Sequence, residues 1–373
     1  MIQTAPAGVA LHGGFDCASW AQMSLPTEVA PKWVSGGSQQ YVVDVIGAAA
    51  LVESMTLTAP DALDPGASSI AAFVNGSPGM TFRRAAVTAG HGADAISPTA
   101  AAPLGPNSNG NPAPSDTQAA PAKTCPCSND STTGGIGGTF SLGASTDAGS
   151  GLPVITGHED AGAGGGLSGC VGGNGADGLE GTSGVSANAV GVLTASGWVP
   201  QAGGAGAVGG TAQGGGGGAG IPAGGPPNAG GGGACGGCGG KGGVGAPAGG
   251  GSIAIAALNS TLRIQASTVH AGTGGAGANG AAGQTGQPGG TGGASSPVTN
   301  GTCPGGNGGV GGAGGPGGGG AGGSSIAVAT VQTTPDIDAF STVLAGTAGK
   351  GGHDGSAQAQ KAIDGVADVV HGF

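Results

Sequence analysis

Three parts of the chain share one pattern of apolar and polar positions. Residues 68–76 with 80–90, residues 251–260 with 261–272, and residues 323–329 with 343–346 each read as a strand, a turn and a second strand. Ile253, Ile255, Leu262 and Ile264 in the second copy alternate with small or polar neighbours at period two, as half-buried strands do. Repetition of this length signals a solenoid. In a parallel β-helix each coil stacks its short strands on those of the next coil, so the core is continuous although every coil is small. Residues 41–46 and 54–58 supply two further rungs.

Between these copies glycine recurs at period three. Gly305, Gly308, Gly311, Gly314, Gly317, Gly320 and Gly323 hold one phase, and the runs 169–184, 233–245 and 274–292 do the same. Three residues per turn is the polyproline II geometry, which rises ~3.1 Å per residue and has no internal hydrogen bonds. The backbone groups of such a rod must bond to neighbouring rods or to water. Collagen would need three chains and far more proline than Pro288, Pro304 and Pro316. A disordered glycine-rich linker is the alternative that composition favours. A linker keeps no phase, however, and these runs are bracketed by strands. Rods of one chain packed side by side are the better reading, since glycine lets backbones approach closely. A run of about twenty residues would span roughly 60 Å.

The expected fold is therefore all-β: a right-handed parallel β-helix with long inserted glycine-rich polyproline or polyglycine II segments packed as a bundle. The chain divides into β-helix coils over 1–98, a loop or disordered stretch over 99–130, and a polyglycine II region over 131–250. A coil follows over 251–272, then a second polyglycine II region over 273–322, and a final coil and tail over 323–373. The excursions leave after Gly90 and Gly272 and return at Gly251 and Gly323, so each begins and ends at the side of the solenoid.

Charge narrows the partners. With 7% charged residues and a net charge of -11 there is no basic patch to neutralise phosphates, which argues against nucleic acid. The longest apolar stretch, around 45–52, falls far short of the ~18 residues of a membrane-spanning helix. Seven cysteines allow disulfides, metal binding or free thiols. Cys235 and Cys238 lie one full turn apart in a polyproline II rod, ~9 Å, which is too far to bridge each other. Each should bond to another segment, with Cys170 and Cys303 as the natural partners; Cys125 and Cys127 complete the disulfide candidates. Cys17 has no evident mate, and the opening Met1-Ile2-Gln3-Thr4 carries no export signal. Both point to a missing amino-terminal part.

The segment Ala7-Gly8-Val9-Ala10-Leu11-His12-Gly13-Gly14-Phe15-Asp16-Cys17, with Trp20, resembles a coil of the pectate-lyase-like β-helix proteins of myxobacteria and relatives. The run 311–326, followed by 346–349 and 364–366, is similar to the carboxyl end of the glycine-rich, PGRS-type members of that group. The resemblance implies a secreted or surface-attached protein, usually with an export signal and an earlier coil, and carries no established biochemistry.

Enzymatic action is not expected. Arg83 and Arg84 are adjacent on one strand, so alternation points one outward and one inward, the inward one pairing with Asp44 or Glu53 in a structural salt bridge. His158, Glu159 and Asp160 form a dense polar cluster that reads as a solvated turn, and the other histidines are scattered. Residues 172–180 fit the calcium nonapeptide of β-rolls, with Asp177 as the ligand, but calcium there is shared between tandem copies and this chain has one. No metal or cofactor is expected. The function expected is a non-enzymatic structural or adhesive protein of the cell surface or extracellular space, presenting polyglycine II rods to copies of itself or to a partner such as a surface glycan. Binding of an ordered ligand, a polysaccharide or ice, is the alternative, and a β-helix lyase or hydrolase relic a more distant one. Ice binding requires a regular rank of Thr, Ala or Val. Asn307, Val310, Ala313 and Pro316, and likewise Cys238, Lys241 and Val244, do not form one.

Overall fold

The computed structural model describes residues 2–3, 8–16, 18–19, 21, 23, 25–128, 130–141, 144–145, 148–158, 160–166, 169–220, 228–296, 303–356 and 360–373. The described residues form strands and no helices, and the long strands lie in three parallel sheets. The first sheet holds Ile2–Gln3, Gln39–Ile46, Ser68–Asn75, Ser252–Leu258, Ser325–Val331 and Ala367–Gly372 in that spatial order. The second holds Val9–His12, Ala50–Glu53, Met80–Arg83, Leu262–Gln265 and Pro335–Ile337. The third holds Thr27–Val29, Met55–Thr58, Ala86–Thr88, Thr268–His270 and Thr342–Leu344. From Gln39 onward the chain visits the first, second and third sheets in rotation, and like residues stack: Ile70 on Ile253 on Ile326, and Val87 on Val269 on Val343.

Corners between sheets repeat as well. The residue after a first-sheet strand is left-handed at Gly47, Gly76, Asn259 and Gln332, and the residue after a second-sheet strand is left-handed at Ser54, Arg84 and Ala266. At the start of three consecutive first-sheet strands a serine in register, Ser69, Ser252 and Ser325, ties the strand to an earlier part of the chain. Ser69 Oγ donates to the Pro60 carbonyl at 2.8 Å, Ser252 Oγ to Gly90 at 2.6 Å and Ser325 Oγ to Gly272 at 2.6 Å. Gly90 and Gly272 are where the glycine-rich excursions depart, so these serines clasp the exit of each excursion to its return.

The core between the sheets is built from Val43, Val45, Leu57, Val74, Met80, Phe82, Ile255, Leu262, Ile264 and Val269 among others. The first-sheet strands were expected to be half-buried, but Ser68–Asn75, Ser252–Leu258 and Ser325–Val331 are covered on both faces. A hairpin of Val192–Thr194 and Gly197–Val199 causes this by laying Leu193 and Trp198 over Ile70, Phe73, Ile253 and Ile326.

The glycine-rich segments pack as parallel and antiparallel rods with a regular bonding order. In the rod 303–323 one phase, Gly305 to Gly323, donates to carbonyls of 275–293, as Gly314 does to Gln284 at 2.9 Å. The next phase, Gly306 to Gly318, donates to carbonyls of 204–216, as Gly315 does to Ala207 at 2.9 Å. The same rod accepts from 172–187, 234–249 and 349–355, and Gly322 donates to Ile363 at 3.0 Å. Six neighbouring segments thus bond to it, four of them along 305–316 and 349–355 and Ile363 only beyond residue 316, while Asn307 and Val310 in its third phase stay exposed. Glycine is required by the close approach: a methyl group on Gly314 would fall onto the Lys241 carbonyl oxygen, and one on Gly315 onto that of Thr182. The stretch expected as a loop or disordered, 99–130, holds the strand Lys123–Pro126 and a flanking rung series. Asn107, Gly110 and Ala113 donate to Pro288, Thr291 and Ala294 every third residue. Its lack of a glycine period hid this, since only one side of it contacts the bundle.

Candidate functional site

Three disulfides fasten the bundle: Cys125–Cys235, Cys127–Cys238 and Cys170–Cys303, with Cα separations of 6.1, 5.5 and 5.2 Å. Cys170 and Cys303, expected to partner Cys235 and Cys238, instead bond to each other. Their rods run side by side in one direction, with Gly172 donating to Pro304, and this brings the two cysteines opposite. Cys125 and Cys127 sit on a hairpin of Lys123–Pro126 and Ser131–Gly134 that lies along the rod carrying Cys235 and Cys238. Cys17 lies outside the described residues.

Side chains of adjacent segments also accept from backbone amides of the rods. Asp94 Oδ1 accepts from Ala276 N–H at 2.6 Å, Ser97 Oγ from Asn279 at 3.0 Å and Asn109 Oδ1 from Thr291 at 2.9 Å. Asn174 and Asp177 do the same for Asn307 and Val310. Asp177, the candidate calcium ligand, therefore serves as a rung of the bundle, and no group of three His, Cys, Asp or Glu able to hold a metal occurs among the described residues.

One flank of the bundle carries a rank of small, mostly apolar side chains. The segment 203–213 donates to Leu179, Thr182 and Val185 on one side and to Gly240, Gly243 and Ala246 on the other. Its remaining phase, Ala202, Ala205, Val208 and Thr211, faces away from the rod 303–323. Leu179 and Val185 on one neighbour are 71% and 72% exposed, and Val208 and Val244 are each 56% exposed. Ala, Val and Thr thus form a rank here that Asn307, Val310, Ala313 and Pro316, and Cys238, Lys241 and Val244, do not, and it is not legible in the sequence because the outward phase of 201–211 is recognisable only once its neighbours are known.

The titratable residues converge elsewhere, on the outer face of the second sheet. Register lines up His12, Glu53, Arg83 and Gln265 on four successive strands, and Leu51, Thr81, Arg263 and Asp336 in the next column. Glu53 is buried and its two oxygens take four donors: His12 Nδ1 at 2.9 Å, Arg83 Nε at 2.7 Å, Arg83 Nη2 at 2.9 Å, and Arg84 Nη2. The expectation that alternation would separate the two arginines is corrected here. Arg84 occupies the left-handed corner at φ 51°, which turns its side chain back onto the same carboxylate, and Asp44 is not their partner. The hydrogen bond from Arg83 holds the Glu53 carboxyl below the usual carboxylate range, against an upward push from burial. A shallow groove of about 530 Å³ opens beside this column, with Thr81, Arg83, Arg263 and Gln265 as its polar lining. His158 and Asp160 are exposed, as a solvated turn requires, and Glu159 lies outside the described residues.

No family model, curated protein or solved structure matches the chain.

Proposed function

We propose that the chain is a non-enzymatic structural or adhesive protein of the cell surface or extracellular space, in which a right-handed β-helix carries a polyglycine II bundle whose exposed flank binds further copies or a partner. The observation that carries this reading is the regular backbone hydrogen bonding of the rod 303–323 to neighbouring segments at every turn, which turns low-complexity sequence into a fixed surface. Three disulfides suit an oxidising compartment and support the extracellular assignment. No helix among the described residues is long and apolar enough to cross a membrane. The proposed kinship with glycine-rich PGRS-type proteins agrees with this role and rests on the sequence motifs alone.

Ordered-ligand binding, of ice above all, is the second reading, favoured by the rank Ala202, Ala205, Val208 and Thr211 repeating once per turn at ~9 Å. Amide hydrogen exchange over 169–323, with and without reductant, tests the premise of both readings. Slow exchange at the inward glycines that is lost on reduction is the expected result. Fast exchange throughout would remove the fixed face and with it the proposal.

A further inference from the structure

The chain has three arginines, Arg83, Arg84 and Arg263, and all three lie at the outer face of the second sheet although the net charge is -11. We propose that this face binds an extended glycan bearing oxyanions, carboxylate or sulfate, along the groove lined by Thr81, Arg83, Arg263 and Gln265. This inference is independent of the role assigned to the bundle flank.

Three observations carry it. Glu53 is saturated by four donors, so it gathers two guanidinium groups and cannot absorb the rest of their hydrogen-bonding capacity. A guanidinium has five N–H donors in a rigid fork, and Arg83 and Arg84 remain 43% and 56% exposed at the side chain, so unspent donors face solvent. Second, Arg263 stands one strand along and 59% exposed, with only a long 3.7 Å contact to the exposed Asp336. Its fork is held by the strand beneath it and only loosely engaged by Asp336. Third, the groove crosses four strands at ~4.8 Å each, an extent that suits several sugar units better than one small anion. Pre-orientation by Glu53 lowers the ordering cost of binding, and bidentate Arg–oxyanion bonds supply affinity and direction.

The test is titration calorimetry of the full chain with polygalacturonate, which bears carboxylate only, dextran sulfate, which bears sulfate only, and neutral dextran at low and physiological salt. Binding to one or both polyanions, none to dextran, and weakening with salt are expected. Arg263→Gln should reduce affinity about tenfold, the effect of one charged hydrogen-bonding group, with an unchanged melting temperature because its ion pair is exposed and long. Lys241→Gln, a charge change on the bundle, should leave affinity unchanged. Which polyanion binds more tightly distinguishes carboxylate from sulfate. Equal binding to dextran, no binding to either polyanion, or an Arg263→Gln variant with wild-type affinity would overturn the inference.

Discussion

Glu53 is a buried acid surrounded by cations, and its pH behaviour follows from that. Because Arg83 holds its carboxyl below the ordinary value, the folded protein binds fewer protons here than the unfolded chain. The cluster therefore stabilises the fold fully above the unfolded value of about 4.3, and that contribution is lost as pH falls through the lower folded value. Thermal unfolding followed from pH 6 down to pH 2 should drop more steeply for the wild type than for Glu53→Gln, which has no proton to take up. Equal slopes would show that the cluster adds nothing to stability. The serine clasps act at the same scale through a different term. Ser252→Ala leaves the Gly90 carbonyl without its 2.6 Å donor at a part-buried corner, and the expected cost is about 1 kcal/mol in denaturant titration.

At the level of the rod, glycine does two opposing things, and magnitude decides between them. Replacing Gly314 by alanine restricts the unfolded chain and would favour folding by about 0.4–1 kcal/mol. It also drives a methyl group into the Lys241 carbonyl of the adjacent rod, where no flexible side chain can yield, at a cost of about 1–3 kcal/mol. Net destabilisation is expected for Gly314→Ala, whereas Ala313→Ser, in the half-buried third phase, should stay within about 0.5 kcal/mol. Differential scanning calorimetry of the two variants separates the phases. The glycine period was legible because it is local, and so were the strands of the second and third copies. Pairing between rods was not, because it depends on which segments become neighbours across more than a hundred residues. That is why Cys170 and Cys303 were assigned to Cys235 and Cys238 instead of to each other. The Trp198 hairpin escaped notice for a related reason: it interrupts a glycine-rich region, and its covering role appears only against Phe73 and Ile326. The convergence of Arg83 and Arg84 on Glu53 was hidden by one backbone angle that strand alternation does not anticipate.

For the whole molecule, the two proposed surfaces answer to ionic strength with opposite signs. Copies carrying a net charge of -11 repel one another at low salt, and the rank Ala202, Ala205, Val208 and Thr211 is itself uncharged, with Asp130 beside Val208. Association through that flank should therefore strengthen as salt screens the repulsion, whereas a polyanion on Arg83 and Arg263 should be released by the same change. Sedimentation velocity over a concentration series at low and high salt reads the first effect directly. Val208→Glu places a carboxylate in the middle of the apolar rank, where burial against a second copy would strip its water without supplying a partner, so the variant should remain monomeric while keeping the wild-type melting temperature. If the wild type is monomeric throughout, self-assembly through this flank is excluded. Thermal hysteresis measured on the same samples then decides the remaining reading: slowed ice growth that Val208→Glu abolishes would identify the rank as an ice-facing surface, and its absence would leave adhesion to a different partner as the role of the bundle.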